Sequence, residues 1–513
     1  MAPEIRKAFD IITRREKPSI LLCTPEVTEL PEGMGNAARY VKAKRGGLAD
    51  ISAALVEQLH EHGDFDLHVA LPKYDKSMKG IGKISTRETN QIKRILKDKN
   101  VHLINHPAFS ETFANGGSVD VYGDTEIHDS VRKAMAYQSG VINYVLNDIQ
   151  PNVVHCNDWM TGLIPAAAKS EGIKSLFTLH NIFTKYLSPK EMVREGVNSK
   201  ELNGNLFYAQ HPTNFEWDFH NNLVDFTTTG IFASDYFNTV SPTFLEEIVR
   251  GDFKGRVPEQ MREQIRQKHN AGRATGITNA PRISESPEFA LGIKRYNSEN
   301  FEEKKAKNKK EFQEKRGLIP DPDIPLYVWT NRLSEQKGIE QLIPQIKHLS
   351  GKYDIQMAFI ADGEKNYENA LRNIALDSEG WVSYSGFDGI LEKQAFAGGD
   401  FLLMPSLYEP CGLPQMTCKR YGTLPVVRNT GGLADTVKHL DLEKNTGSGF
   451  VFDVVDRTGF EYAIEESLSF YTSGPEIRNP IIKRVMEQGV KEHNLEKTAE
   501  QYLEIYDKLV REK

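Results

Sequence analysis

Cysteine is scarce. The 513 residues contain four, at Cys23, Cys156, Cys411 and Cys418. No two are spaced as a paired metal-ligand motif, and a disulfide framework is not expected in a chain of this length. No apolar run approaches the length of a membrane span. The opening segment Met1-Ala-Pro-Glu-Ile-Arg-Lys lacks the apolar core of a signal peptide, so the cytoplasm is the default expectation. Positive charge is not in excess: 64 basic against 71 acidic side chains leave a net charge of −7, which argues against a nucleic-acid-binding surface. There is no Gly-rich loop ending in Gly-Lys-Ser/Thr, which disfavours a P-loop kinase or ATPase. A zinc-hydrolase histidine pair and a Gly-x-Ser-x-Gly elbow are also missing.

What remains is an ordinary soluble composition, 39% hydrophobic and 26% charged, with chain enough for roughly two to four domains. Short apolar runs alternate with longer helical patterns. The predicted buried strands of the first half are Ser19–Cys23, Leu67–Leu71, Val153–Cys156, Leu176–Leu179 and Phe237–Val240. Those of the second half are Leu326–Trp329, Gln356–Ile360, Trp381–Tyr384, Phe401–Met404 and Pro425–Val427. Helix-like stretches include Asp129–Leu146, Ile339–Leu349 and Phe460–Phe470. The charged run Ser298–Lys315 reads as a solvated helix, and Ile481–Val510 as one or two long helices. Alternating strands and helices indicate α/β domains with doubly wound parallel sheets. The Gly/Pro/Ser-rich stretch Ala271–Pro287 is the expected hinge. This gives one domain over 1–275, a second over 276–490, and a C-terminal helix over 491–513 that packs back on the first.

Polar motifs follow most of these strands, where open parallel sheets bind ligands. The pentapeptide Gly-Gly-Leu-Ala-Asp occurs twice, at Gly46–Asp50 and Gly431–Asp435. Each copy opens an apolar-periodic run, the layout of a glycine turn feeding a helix N-terminus. Such a turn suits a phosphate, through free N–H groups and the helix dipole, or is simply a packing turn. Lys44 precedes the first copy and either reaches the same phosphate or stays solvated. The second copy has Asn429-Thr430 before it, so only backbone and dipole could help there. Arg332 and Lys337, five apart in a strand-to-helix loop, are either a diphosphate clamp or surface charges. His180-Asn181 ends a buried run, and His180 either donates to a sugar hydroxyl or is a satisfied core residue. The Glu409 carboxylate could orient vicinal sugar hydroxyls, with the N–H groups of Cys411, Gly412 and Leu413 facing an anion. The Cys411 side chain itself reads as a packing residue rather than a nucleophile.

Together these segments resemble the bacterial glycogen synthases and plant starch synthases. The matching residues run in family order and cover most of the chain: Lys44–Asp50, Asp158-Trp159, Thr178–Asn181, Asn238–Thr243, Arg332–Gly338, Pro405-Ser406, Glu409–Leu413 and Tyr421 through Val437. The resemblance implies a retaining glycosyltransferase of the GT-B fold, two facing Rossmann-like domains with a central cleft. It implies transfer of glucose from a nucleoside diphosphate glucose, ADP-glucose favoured over UDP-glucose, to the non-reducing end of an α-1,4-glucan. No cofactor, metal, nucleic acid or membrane is implied. Lys44, His180, Arg332, Lys337 and Glu409 would be catalytic. Gly46, Gly47, Asp50, Cys411, Gly412, Leu413, Gly431 and Gly432 would bind the donor, and Asp158, Trp159 and Asn181 would lie on the acceptor side.

The chain also departs from the family pattern. Val27–Ala43 is an extra stretch between Glu26 and Lys44. Asn157 and Met160 flank Asp158-Trp159 where polar ring-bearing residues are common. Gly276–Ala280 lacks a glycine of the usual hinge motif, and Ala361–Glu364 replaces a Gly-x-Gly-Asp turn near the nucleotide. These features identify the chain as a divergent member. They leave two alternatives open: a related transferase with another acceptor or a UDP-glucose donor, and a catalytically weak glucan-binding regulator.

Overall fold

The computed structural model describes residues 17–44, 47–74, 78, 88–89, 95–110 and 127–512. The chain divides into two compact units. The first comprises Met1–Asn238, Gly255–Thr275 and Ala499–Lys513, and the second Thr239–Lys254 and Gly276–Thr498.

Among the described residues, the first unit is built on a nine-stranded sheet. In chain order the strands are β1 (Ser19–Cys23), β2 (Asp66–Pro72), β3 (Glu88–Thr89), β4 (Ile95–Asp98), β5 (Val101–Ile104), β6 (Val153–Asn157) and β7 (Lys174–Leu179). A short ribbon of β8 (Tyr186–Leu187) and β9 (Val224–Asp225) stands apart, and β10 (Tyr236–Thr239) and β11 (Ala274–Gly276) complete the sheet. The spatial order is β11-β10-β7-β6-β1-β2-β5-β4-β3. The central pairs are parallel, whereas β4 runs antiparallel to β5 and β3 antiparallel to β4. Ile20, Leu21, Leu22 and Cys23 are all buried, as a strand covered on both faces requires. From β1 the chain builds outward through β2 and β5, then returns to β1's other side with β6 and β7. The crevice between β1 and β6 is thus a topological switch point.

The stretch Val27–Ala43 folds on itself. Val27 and Ala43 pair as an antiparallel bridge, which returns Lys44 to the neighbourhood of Glu26. Within it Leu30, Met34, Ala37, Ala38 and Val41 are buried. The Asp98 carboxylate accepts from Ala37 N at 2.6 Å.

The last helix, Leu495–Arg511, docks Tyr502 and Tyr506 into the first unit. His155 Nε2 lies 2.7 Å from Thr178 Oγ1, which donates to Asn238 Oδ1 at 2.5 Å. Thr178 has thus used its proton and accepts from His155, leaving His155 Nδ1 to accept from Tyr506 Oη at 2.7 Å. Asn238 Nδ2 then donates to Tyr502 Oη at 3.1 Å. Burial pushes the His155 imidazole down to about 3, with the nearby His180 adding to it, so the ring is neutral, as this chain of bonds needs.

The second unit holds six parallel strands: β12 (Leu326–Trp329), β13 (Gln356–Ile360), β14 (Val382–Ser385), β15 (Phe401–Met404), β16 (Leu424–Arg428) and β17 (Phe450–Phe452). Their order, β14-β13-β12-β15-β16-β17, is that of a dinucleotide-binding sheet, with its switch point between β12 and β15. The helix Pro242–Arg250 belongs to this unit. Asp435 accepts from Thr243 N at 3.2 Å and from the Ser241 and Thr243 hydroxyls, capping that helix. Glu247 on the same helix accepts from Gly431 N at 3.0 Å and Thr430 Oγ1 at 3.3 Å. Two helix starts are therefore satisfied by each other's carboxylates. Among the described residues, no helix is long and apolar enough to cross a membrane.

Candidate functional site

In the second unit, the loops after β12 and β15 leave the sheet side by side. Gly338 has φ 77°, and a Cβ there would sit 2.2 Å from Pro405 O, so the loops touch through backbone. Leu407 N donates to Gln336 O at 2.8 Å. This contact brings Lys337 Nζ to 2.5 Å from Glu409 Oε2. The side chains are 15% and 5% exposed. Ser406 Oγ also donates to Glu409 Oε2, at 3.0 Å. Arg428, at the end of β16, braces the loop by donating to Leu407 O at 2.5 Å and Asp453 O at 3.2 Å. Arg332 lies exposed at the start of the β12 loop. Leu333 beside it pairs with Gly363 as a parallel bridge, so the Ala361–Glu364 turn is fixed next to Arg332.

Gly412 has φ 76°, and Leu413 precedes the helix Pro414–Arg420. Cys411 is buried with Val240 and Met416, and burial pushes its thiol up to about 12. It stays a thiol, as a packing residue would.

The second glycine turn does not present its donors as the sequence suggested. Gly431 N bonds Glu247, and Gly432 N donates to Glu409 O at 2.9 Å. A Cβ at Gly431 would fall 2.0 Å from Glu409 O. The anion-facing reading of Gly431 and Gly432 is corrected to a structural one: the glycines let this turn press against the backbone that carries Glu409.

In the first unit, Lys44 is exposed and its Nζ lies 2.8 Å from Asp50 Oδ2. Asp50 sits in the first turn of the helix Gly47–His62. Gly46 lies outside the described residues. Asp158 follows β6 with φ 57° and ψ −178°, a region costing a non-glycine residue about 1–3 kcal/mol. That geometry turns its carboxylate toward the end of β7, where Oδ1 accepts from His180 N at 2.7 Å and Asn181 N at 3.3 Å. Burial raises the Asp158 carboxyl to about 7; the two N–H bonds oppose the rise and Glu26 adds to it. His180 Nε2 lies 2.9 Å from Asn157 Oδ1, and burial lowers its imidazole to about 3. Asn181 turns its Oδ1 back to Ile182 N at 2.8 Å. Trp159 is buried in the interior.

The structure thus brings Lys337 together with Glu409, Lys44 with Asp50, and Asp158 with His180 and Asn181. Sequence reasoning noticed Asn157 and Ser406 without giving them a role, and foresaw neither a role for Glu247 nor the bracing by Arg428. Position after a buried strand marked Asn157 and Arg428; Glu247 had no local signal. Among the described residues, no group of three His, Cys, Asp or Glu side chains could hold a metal ion.

A model of the starch synthase catalytic domain matches residues 20–263, and one of glycosyl transferases group 1 matches residues 308–485. A glycogen synthase of Geobacillus thermodenitrificans is 31% identical over 492 residues, covering 91% of this chain and 96% of its own. One of Alkaliphilus metalliredigens is 32% identical over 495 residues, covering 91% and 97%. Among solved structures, the catalytic domain of starch synthase IV from Arabidopsis thaliana, bound to ADP and acarbose, is similar with a TM-score of 0.75. It shares 23% identity, and the match covers 96% of this chain and all of that one.

Proposed function

We propose that this chain, which belongs to the glycogen and starch synthase family, transfers glucose from ADP-glucose to the non-reducing end of an α-1,4-glucan with retention of configuration. Membership makes it a glycosyltransferase. The donor, acceptor and stereochemistry are our reading. The observation that carries it is the Lys337–Glu409 pair at the β12/β15 switch point, where a doubly wound sheet takes a nucleotide. Starch synthase IV is bound to ADP, which supports the adenine donor.

In this reading Lys337 and Arg332 take the diphosphate, with the N–H groups of Gly412 and Leu413 beside them. Lys337 exchanges Glu409 for phosphate oxygens, which frees the Glu409 carboxylate to accept from glucose hydroxyls. Lys44 serves the sugar–phosphate end, with Asp50 as its resting partner. His180 holds a further glucose hydroxyl. Asp158 orients the His180-Asn181 backbone on the acceptor side, and Trp159 supports that loop from the interior.

Retaining glycosidases place a second carboxylate opposite the leaving group; this scheme assigns that part to no residue. The bond from the anomeric carbon to the phosphate oxygen breaks as the acceptor hydroxyl attacks from the same face. The acceptor proton passes to the departing phosphate oxygen. Catalysis then rests on positioning and on charge stabilisation of the leaving group. The test is release of nucleoside diphosphate from ADP-glucose and UDP-glucose, with and without glycogen. Glycogen-dependent ADP release is expected; no release from either donor would overturn the reading.

A further inference from the structure

Asn157 has only one usable amide orientation. Its Nδ2 donates to Cys23 O on the neighbouring β1 at 3.0 Å; turned over, the amide would set two oxygens against each other. Oδ1 therefore faces His180 Nε2 at 2.9 Å. An amide oxygen only accepts, so Nε2 carries the hydrogen. The low pKa of the buried ring leaves it one proton at neutral pH, and Nδ1 is then a bare lone pair. The titratable groups around the ring are His155, neutral by burial; Asp158, whose carboxylate takes the His180 N–H; and Glu26, which acts on Asp158.

We propose that Asn157 is a positioning residue that fixes His180 in the Nε2–H tautomer, so that His180 meets the transferred sugar as an acceptor for one of its hydroxyls. This rests on the reading that His180 holds a glucose hydroxyl. It also has an electrostatic consequence. A neutral acceptor places no positive charge beside an oxocarbenium-like centre, whereas an imidazolium would oppose its formation.

The test is nitrogen NMR of the full chain labelled with ¹⁵N-histidine, with His180→Gln used to assign the ring. The native protein should show a protonated Nε2 and an unprotonated Nδ1 at pH 7–8. Asn157→Leu should give mixed tautomers and lower kcat/KM about ten- to hundredfold, by analogy with losing the outer hydrogen-bond partner of a metal-bound histidine. Asn157→Asp keeps the oxygen that accepts from Nε2, replaces the donor to Cys23 O by an oxygen and so lowers the melting temperature, and adds a charge that favours imidazolium. It should retain the native tautomer and most activity at pH 8.5, then lose activity on acidification at a pH where the native enzyme does not. A protonated Nδ1 in the native protein, or an unchanged tautomer in Asn157→Leu, would overturn the proposal. The expected tautomer in a protein that releases no nucleoside diphosphate would refute the functional reading while leaving the positioning role standing.

Discussion

Replacing Lys337 by alanine separates the contribution of its charge to folding from its contribution to chemistry. The ammonium is 15% exposed and touches a carboxylate that is 5% exposed, with Ser406 Oγ as that carboxylate's other donor. Removing one member of a buried pair destabilises by about 3–5 kcal/mol, because the other charge stays behind. At roughly 2–4 °C per kcal/mol for a unit of this size, the melting temperature should fall by about 6–20 °C. Loss of a preorganised leaving-group donor should separately cut turnover about a hundredfold or more, or about 3 kcal/mol of barrier. The double variant Lys337→Ala/Glu409→Gln resolves the two effects. With both charges gone the stability penalty should shrink to about 1 kcal/mol, while turnover stays low. Thermal melts and nucleoside diphosphate release with ADP-glucose and saturating glycogen read both. Near-wild-type turnover in Lys337→Ala, or recovery of turnover together with stability in the double variant, would refute the leaving-group assignment.

Arg332→Ala should also lose about a hundredfold in turnover, but with an unchanged melt, because its side chain is exposed; a large stability loss with full activity would make it structural. Asp158 is raised to about 7, so between about pH 4 and 7 the folded state holds a proton that the unfolded chain has released, and stability falls as pH rises through that window. Asp158→Asn should accordingly melt above the native protein at pH 8 and lose that advantage by pH 4; a difference independent of pH would refute the shift. Tyr506→Phe removes the donor to His155 Nδ1 and should cost about 1–3 kcal/mol in a melt, whereas no change would mean that the bond does not hold the last helix.

The predicted strands Ser19–Cys23, Leu326–Trp329, Gln356–Ile360 and Phe401–Met404 match the observed ones residue for residue. A strand covered on both faces reads as an unbroken apolar run with polar ends. β5, four residues long, was not among the predicted strands; it buries His102, whose Nε2 meets His68 Nδ1 at 3.0 Å. β17 is three residues long, too short for a period to show. The stretch Ile339–Leu349 was expected as one helix, but it forms helix Ile339–Leu342, a tighter turn Ile343–Gln345 and helix Ile346–Tyr353. Pro344 removes the N–H that a continuous helix needs there. The membership of Pro242–Arg250 in the second unit was illegible for another reason. It depends on Asp435, nearly two hundred residues away, and no local pattern encodes that.

The two Gly-Gly-Leu-Ala-Asp segments show where reading a site from sequence stops. Both copies lie at helix starts: one helix opens at Gly47 and the other at Gly431. What the turn does is decided by the groups that reach its N–H donors and its aspartate, and those lie elsewhere in the chain. In the first copy Asp50 faces Lys44, six residues back, which leaves a cation at the turn and keeps the phosphate reading open. In the second copy Glu247 and Glu409 O take the glycine N–H groups, and Asp435 caps another helix. An anion entering there would have to displace a carboxylate that is already bonded. The second turn is therefore tied to the rest of the unit through the Glu409 backbone it supports, and the proposed diphosphate contacts are assigned to Lys337 and Arg332, whose motif occurs once.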